Sequence, residues 1–180
     1  MRTDLLNNLN TICLEFTNKL ESLAPNYPIG TGYLIGHCLA EGFKKAGFNS
    51  REVTGSAIFK DKNDKNIIYG KSIVKGTNIG YYQTWCVLEI EGESIIIDPS
   101  IKYNKVAMKN YFNLKTNSRI PDFIITNDKN SWLHTYVEDS ELTPISKGFL
   151  KTVHPDVKKI LINTVEELAV LFLDETNQSA

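Results

Sequence analysis

The sequence predicts an α+β fold in which helices pack on an antiparallel sheet. Apolar residues recur every three or four positions near both ends of the chain, the middle of the chain alternates with a period of two, and that middle contains one clear hairpin signal. Consecutive strands between terminal helices are typical of α+β domains rather than of alternating β-α-β units. A length of 180 residues fits one domain covering 1–180.

Two long helices and one shorter one are predicted. The apolar stripe through 3–23 indicates an amphipathic N-terminal helix, and a similar stripe over 155–174, opened by His154-Pro155, indicates a C-terminal one. A third helix is expected within 33–46. Two glycines inside it, Gly36 and Gly42, weaken a helix and so indicate close packing against a neighbour.

The strand predictions begin at Arg51, where the spacing of apolar residues changes to a period of two. Residues 51–59 alternate, with Val53, Ala57 and Phe59 on one face. Residues 66–75 are expected to form the next strand and 75–80 a loop, while 100–150 are expected to hold one or two short strands joined by irregular connections.

The hairpin signal lies in YYQTWCVLEIEGESIIIDPS, residues 81–100. With Glu91-Gly92 as a two-residue turn, Trp85 opposes Asp98. Opposed residues share a sheet face, and so do residues two apart on one strand. Gln83, Trp85 and Asp98 are therefore predicted to converge on one face at the open end of the hairpin.

Composition and charge exclude several classes of protein. The chain is 42% hydrophobic and 23% charged, which is close to the globular average and argues against disorder. Its net charge of −1 does not indicate nucleic acid or an anionic membrane as a partner. We find no apolar run of signal-peptide or membrane-span length, so a cytoplasmic location is expected.

Three segments carry a family resemblance when taken together. They are Gly47-Phe48-Asn49-Ser50-Arg51-Glu52-Val53-Thr54-Gly55, then Gln83-Thr84-Trp85, then Asp98-Pro99-Ser100. Over about residues 30–101 the chain resembles the transglutaminase-like branch of the papain-like cysteine protease superfamily. Proteins of that branch show Gly-apolar-x-x-Arg-x-Val-x-Gly, then His-x-Trp, then Asp-Pro-Ser/Thr about fifteen residues after the His.

The resemblance implies a papain-like fold and thiol-dependent acyl transfer. A cysteine at the start of a helix attacks an amide or isopeptide carbonyl, a histidine moves the proton, and an aspartate orients the histidine. The chain would then be a hydrolase or acyltransferase acting on a protein or peptide, with no cofactor. The three isolated histidines and the lack of a His-x-x-x-His motif give no indication of a metal site.

The sequence departs from this pattern in two places. Gln83 occupies the histidine position, and a glutamine amide cannot serve as a general base. Counting back fourteen or fifteen residues from Gly47, where the family places its nucleophile, gives Gly32 or Tyr33 rather than a cysteine. Cys38 is either a nucleophile in the first turn of a helix that starts late, where the helix dipole lowers the pKa of a thiol, or a packed thiol inside a helix that starts early.

The candidate site residues follow from these motifs. Cys38, Gln83 and Asp98 are the catalytic candidates, and Trp85 and Tyr82 are the candidates for substrate binding. A histidine from elsewhere could replace the missing base. His134 could fold back to the site, but it could equally be a surface or core residue.

Three functions remain open on this evidence. The first is a transglutaminase-like cysteine hydrolase or acyltransferase with a degenerate triad. The second is a catalytically inactive member kept as a protein-binding module, such as an inhibitor, an immunity protein or an accessory subunit. The third is a structural domain without a functional cleft. The sequence does not indicate an oligomeric state.

Overall fold

The computed structural model describes residues 1–24, 26, 28–72 and 74–177. Helices and strands follow one another in the order α1 (Thr3–Leu23), α2 (Gly32–Lys45), β1 (Asn49–Lys60), β2 (Asn66–Tyr69), β3 (Gly76–Gly80), β4 (Gln83–Ile90), β5 (Glu93–Asp98), α3 (Ile101–Phe112), β6 (Ile124–Thr126), β7 (His134–Glu138), α4 (Thr143–Leu150) and α5 (Pro155–Asn177). No helix within the described ranges has the length and apolar content that crossing a bilayer requires.

The three predicted helices are confirmed. The helix α1 has the predicted bounds, and α5 begins at the expected proline. The helix α2 begins at Gly32, one residue before the predicted segment, and ends before Gly47, whose φ of 92° is the left-handed geometry typical of a helix C-terminus. A side chain at Gly36 or Gly42 would meet Thr84 of β4 or Ile162 of α5 at 2.8 Å, so both glycines allow close packing.

The sheet is mixed. Its strand order is β3-β2-β1-β4-β5-β6, with β7 paired to β1 outside that path. All the strand pairs are antiparallel except β2–β3, which is parallel. The prediction of an antiparallel sheet is wrong for that pair.

The long strand β1 has different partners along its length. Gly55 pairs with both β4 and β7, and Ala57 pairs with both β2 and β7. Because a strand has only two edges, β4 and β2 follow each other along one edge, and β7 occupies the other. A side chain at Gly55 would collide with the carbonyl oxygen of Val137 in β7.

Each face of the sheet carries its own core. On one face, α1, α2 and α5 cover Cys86, Leu88, Ile95 and Ile97. On the other, residues of β1, β2, β4 and β5 pack with α3 and β7 in a second cluster, which is formed by Val53, Ala57, Phe59, Ile67, Trp85, Val87, Ile96, Ile101, Met108, Ile120, Ile124 and Tyr136. The predicted face of β1 is therefore confirmed. The second cluster lies on the side of the hairpin that carries Gln83.

Two segments have a different secondary structure from the one predicted. Residues 76–80, expected as a loop, form β3, which pairs through its backbone and has little side-chain alternation to reveal it. Residues 101–112, expected to be short strands or irregular, form the helix α3, whose stripe is interrupted by Lys and Asn. The expected strand over 66–75 ends at Tyr69, and Ile73 within it lies outside the described residues.

Candidate functional site: a buried polar centre beside an aromatic cleft

The hairpin brings Gln83 and Asp98 together as predicted. The turn residues Glu91 and Gly92 both have positive φ, 53° and 75°, which fits a two-residue turn matched to the strand twist. The register that follows pairs Cys86 with Ile97 and puts Trp85 opposite Asp98 one step further on. Nε2 of Gln83 donates a hydrogen bond of 2.8 Å to Oδ2 of Asp98.

Asp98 is fully buried and is surrounded by donors. Oδ2 also accepts from the hydroxyl of Tyr136 at 2.8 Å, and Oδ1 accepts from the backbone N–H and the hydroxyl of Ser100 at 3.1 and 2.5 Å. Burial raises the pKa of the Asp98 carboxyl above its ordinary value, and the hydrogen bonds from Ser100, Gln83 and Tyr136 offset part of that rise. All four donors favour the carboxylate form.

Three members of this centre were not predicted. Ser100 is the last residue of the Asp-Pro-Ser segment. Its hydroxyl accepts a hydrogen bond of 2.6 Å from Nε2 of Gln83 and donates one to Asp98, so it bridges the amide and the carboxylate. Asn104, in the first turn of α3, donates a hydrogen bond of 3.3 Å from Nδ2 to Oε1 of Gln83. Tyr136 comes from β7. The strand signal of β7 is visible in the sequence, but its pairing with β1 is not. We call Gln83, Asp98, Ser100, Asn104 and Tyr136 the polar centre.

Gly32, the first residue of α2, faces the polar centre. An ideal Cβ at Gly32 would lie 3.7 Å from both Oε1 of Gln83 and Oγ of Ser100. A residue at the first position of α2 is thus adjacent to the amide of Gln83. Glycine at that position supplies no side chain that could act as a nucleophile.

Cys38 lies elsewhere. Because α2 begins at Gly32, Cys38 is in the second turn, and the alternative in which it starts the helix does not hold. Its side chain is fully buried in the core between sheet and helices, with Sγ directed at the carbonyl oxygen of Lys158 at 4.0 Å. Burial raises the pKa of this thiol to about 12, even though Lys158 lowers it. The structure does not join Cys38 to Gln83 and Asp98.

The other two cysteines are equally enclosed. Cys13 and Cys86 are unpaired and fully buried, and burial raises the pKa of each thiol far above its ordinary value. Cys86 belongs to the helix-covered face, opposite to Gln83, as the strand parity predicted. None of the three thiols is hydrogen-bonded to a residue of the polar centre.

The histidines form other contacts. Nδ1 of His37 lies 3.0 Å from Oε2 of Glu52, and the two ring nitrogens of His134 contact Oγ of Ser131 and the backbone oxygen of Asp128 at 3.0 and 3.1 Å. His134 therefore does not replace the missing base. Across the described ranges, no group of three or more His, Cys, Asp or Glu side chains is arranged to hold a metal ion.

A second polar cluster lies on the helix side of β1. The carboxylate of Glu52 accepts hydrogen bonds from Nζ of Lys147 at 2.7 Å and, at 3.5 Å, from Oγ of Ser146. Burial raises the pKa of Glu52, but the contacts with His37 and Lys147 outweigh it and leave the pKa below its ordinary value. This cluster ties α4 to α2 and β1.

The two substrate-binding candidates have different environments. Trp85 is 3% exposed and packs edge-on against Tyr136 with ring centroids 5.0 Å apart, so it supports the polar centre from within the core. Its outer edge borders a separate cavity of about 640 Å³ on the sheet face. Tyr82 lines a cavity next to Gln83, where its ring stacks on Phe149 at 6.3 Å.

That second cavity, of about 330 Å³, opens directly above Gln83. Gln83 and Asn104 provide its buried polar base, and Gly32 borders it from α2. Its walls are mainly aromatic and include Tyr33, Tyr69, Tyr81, Tyr82 and Tyr111, after which we call it the tyrosine cleft.

Comparison with known proteins gives the fold alone. The crystal structure of genomics APC5867 superimposes with a TM-score of 0.51 over 89% of this chain and 78% of that one, at 12% sequence identity. At that identity the likeness shows a shared α+β arrangement with helices packed on a mixed sheet. No protein-family model matches the chain, and no curated protein matches it.

Proposed function

We propose that the chain is a catalytically inactive relative of the transglutaminase-like cysteine enzymes, with a papain-like fold, that serves as a protein-binding module. One observation carries the proposal. At the start of α2, where that family has its thiol, Gly32 faces an amide, and all three cysteines are buried elsewhere. The cleft is open and lined by side chains, yet its described lining residues include neither a cysteine nor a histidine.

The chemistry of the polar centre supports this conclusion. Acyl transfer needs a nucleophile and a base that takes its proton. Gln83 has no basic nitrogen, and both hydrogens of its amide are used in bonds to Asp98 and Ser100. Gln83 therefore acts as a structural link between the hairpin and the start of α3.

The polar centre also accounts for the persistence of the cleft without catalysis. Every buried side-chain nitrogen or oxygen of the described residues has a hydrogen-bond partner. A fully satisfied buried network holds its elements in one arrangement, whereas a partly satisfied one is costly. The tyrosine cleft thus has a rigid base on which a partner can be bound.

The test is to supply the two missing groups. We expect the wild-type protein to show no burst with p-nitrophenyl acetate and no cleavage of peptide amides. The double variant Gly32→Cys/Gln83→His should form an acyl-enzyme, seen as a burst stoichiometric with protein and as the matching mass increase. Gly148→Cys/Gln83→His is the matched control, because Gly148 lies in open space on α4 and its thiol would have no neighbouring base.

Two results would contradict the proposal. One is amide or isopeptide cleavage by the wild-type protein that is lost in Asp98→Ala, measured on variants shown to be folded by circular dichroism. The other is specific modification of Cys38 in the native protein at neutral pH. Either result would favour the active enzyme, with an unidentified base.

A further inference from the structure

Among the described residues, none that lines the tyrosine cleft has a charged side chain. A charged group bound there would lose its hydration without gaining a counter-ion, which is costly in an enclosed site. No lining side chain can therefore act as a counter-ion for a phosphate, carboxylate or ammonium group. We expect the part of a ligand that enters the cleft to be uncharged.

The walls offer hydroxyl groups that the protein itself does not use. The hydroxyls of Tyr33, Tyr69, Tyr81, Tyr82 and Tyr111 have no hydrogen-bond partner in the part of the chain that the structure describes. Tyr81 and Tyr111 are 86% and 70% exposed, so their rings are available to a ligand. A phenol presents a flat apolar ring together with one donor, and such rings bind with little loss of side-chain entropy.

The base of the cleft adds a small set of fixed polar atoms. Asn104 is 6% exposed and uses Nδ2 on Gln83, which leaves its Oδ1 without a partner among the described residues. At the start of α2, the amides of Leu34 and Ile35 bond to Thr31, but those of Gly32 and Tyr33 have no acceptor within the described ranges. The cleft therefore offers two donor-only amides and one acceptor-only oxygen, while its tyrosine hydroxyls can donate or accept.

We propose that the tyrosine cleft binds an uncharged proline-rich segment of a partner protein in the polyproline II conformation. This inference rests on the proposed binding function and names its ligand. A polyproline II chain has no internal hydrogen bonds, so its carbonyl oxygens are free to accept, and its prolines have no N–H to satisfy. Aromatic-lined grooves recognise such segments by packing rings against prolines.

The hydrogen-bonding groups of the cleft favour this ligand over a neutral oligosaccharide. A sugar would also stack on tyrosine rings, but it brings about as many donors as acceptors. A proline-rich chain is rich in carbonyl acceptors and poor in donors, so its carbonyl oxygens can accept from the free amides of Gly32 and Tyr33 and from the tyrosine hydroxyls. Oδ1 of Asn104 can accept from one non-proline N–H. A cavity of about 330 Å³ suits a few residues of extended chain rather than a helix.

Isothermal titration calorimetry with the full chain tests the inference. The probes are an acetylated, amidated proline decamer, a blocked Ala/Ser peptide of equal length, and cellohexaose. We expect only the proline decamer to bind, with a Kd that changes less than about twofold between about 50 and about 500 mM NaCl because no charges are involved.

Variants on the exposed rim identify the groups responsible without disturbing the core. Tyr81→Phe/Tyr111→Phe removes two hydroxyls and should weaken binding by roughly three- to tenfold, and Tyr81→Ala/Tyr111→Ala by more than about tenfold. Trp132→Ala is the matched control, since Trp132 is 51% exposed and lies outside the cleft, and it should leave the Kd unchanged.

Three results would overturn the inference. They are binding of the Ala/Ser peptide or cellohexaose in preference to the proline decamer, binding that is unaffected by the Tyr81/Tyr111 substitutions, and no binding of the decamer at all. None of these results bears on whether the chain is catalytically inactive, which the acyl-enzyme test judges separately. Cleavage of a probe peptide would instead contradict the proposed function.

Discussion

Tyr136 donates a hydrogen bond of 2.8 Å from its hydroxyl to Oδ2 of Asp98, although 38 residues separate them along the chain. The bond joins β7 to the end of the hairpin, and Oδ2 of Asp98 accepts from both Tyr136 and Gln83. It also positions the Tyr136 ring against Trp85. The order of the polar centre should therefore depend on residues distant in sequence, and this can be measured.

Replacing Tyr136 with Phe removes that hydrogen bond and keeps the ring. We expect a loss of about 1.5–3 kcal/mol in the free energy of unfolding, the usual range for a bond to a charged group. Urea denaturation followed by circular dichroism measures it. Tyr111→Phe is the control, because its hydroxyl has no partner among the described residues, and it should change stability by less than about 0.5 kcal/mol. Equal effects for the two variants would contradict the role of Tyr136.

Two glycines in helices should respond in opposite ways to alanine. At Gly42 a Cβ would overlap Val165 and lie 2.8 Å from the carbonyl oxygen of Ile162, so Gly42→Ala should destabilise by about 1–3 kcal/mol despite the better helix propensity. At Gly148 nothing lies within 4 Å, and Gly148→Ala should stabilise by up to about 1 kcal/mol. Thermal unfolding of the two variants tests the close approach of α2 to α5.

Stability at acid pH should depend on Glu52. Its pKa lies below the ordinary value of 4.5, so the folded state binds its proton more weakly than the unfolded state does. The stabilisation is complete above that ordinary value and is lost as the pH falls through the folded-state pKa. Between about pH 6 and about pH 3, the free energy of unfolding should fall more steeply for the wild type than for Glu52→Gln. Glu141→Gln, which removes an exposed carboxylate, should keep the wild-type slope.

The three thiols should be protected in the native protein. Each is buried, and the pKa of Cys38 is raised to about 12, so little thiolate forms near neutral pH. With Ellman's reagent at pH about 8, we expect no thiol to react until denaturant is added, after which all three should react. Gly148→Cys provides a positive control with one exposed thiol. Rapid reaction of one native thiol in the wild type would contradict the packing described for the cysteines.

Much of the fold could be predicted because its signals are local. The stripes of α1 and α5 and the Glu91-Gly92 turn fix helices and register within a few residues of sequence. The convergence of Gln83 and Asp98 followed from that register alone. The strand β3 and the helix α3 were missed because pairing with β2 and contacts with a distant sheet stabilise them more than their own patterns do.

The candidate site was predictable only in part. Counting from Gly47 pointed to Gly32 or Tyr33, and the structure places Gly32 beside Gln83. The choice of Cys38 depended on where α2 begins, and this could not be predicted because the helix has no side-chain cap at its N-terminus. Tyr136 joins Asp98 through long-range strand pairing, which a single sequence does not specify.

The collision that any side chain at Gly55 would have with Val137 has a consequence for how motifs of this kind are interpreted. Gly55 ends the segment that began at Gly47, and backbone clearance between three adjacent strands is sufficient reason to retain it. A glycine at this position indicates that the strands are closely packed, and it carries no information about reactivity. Chains can therefore keep such a signature long after, or entirely without, the atoms that perform a reaction.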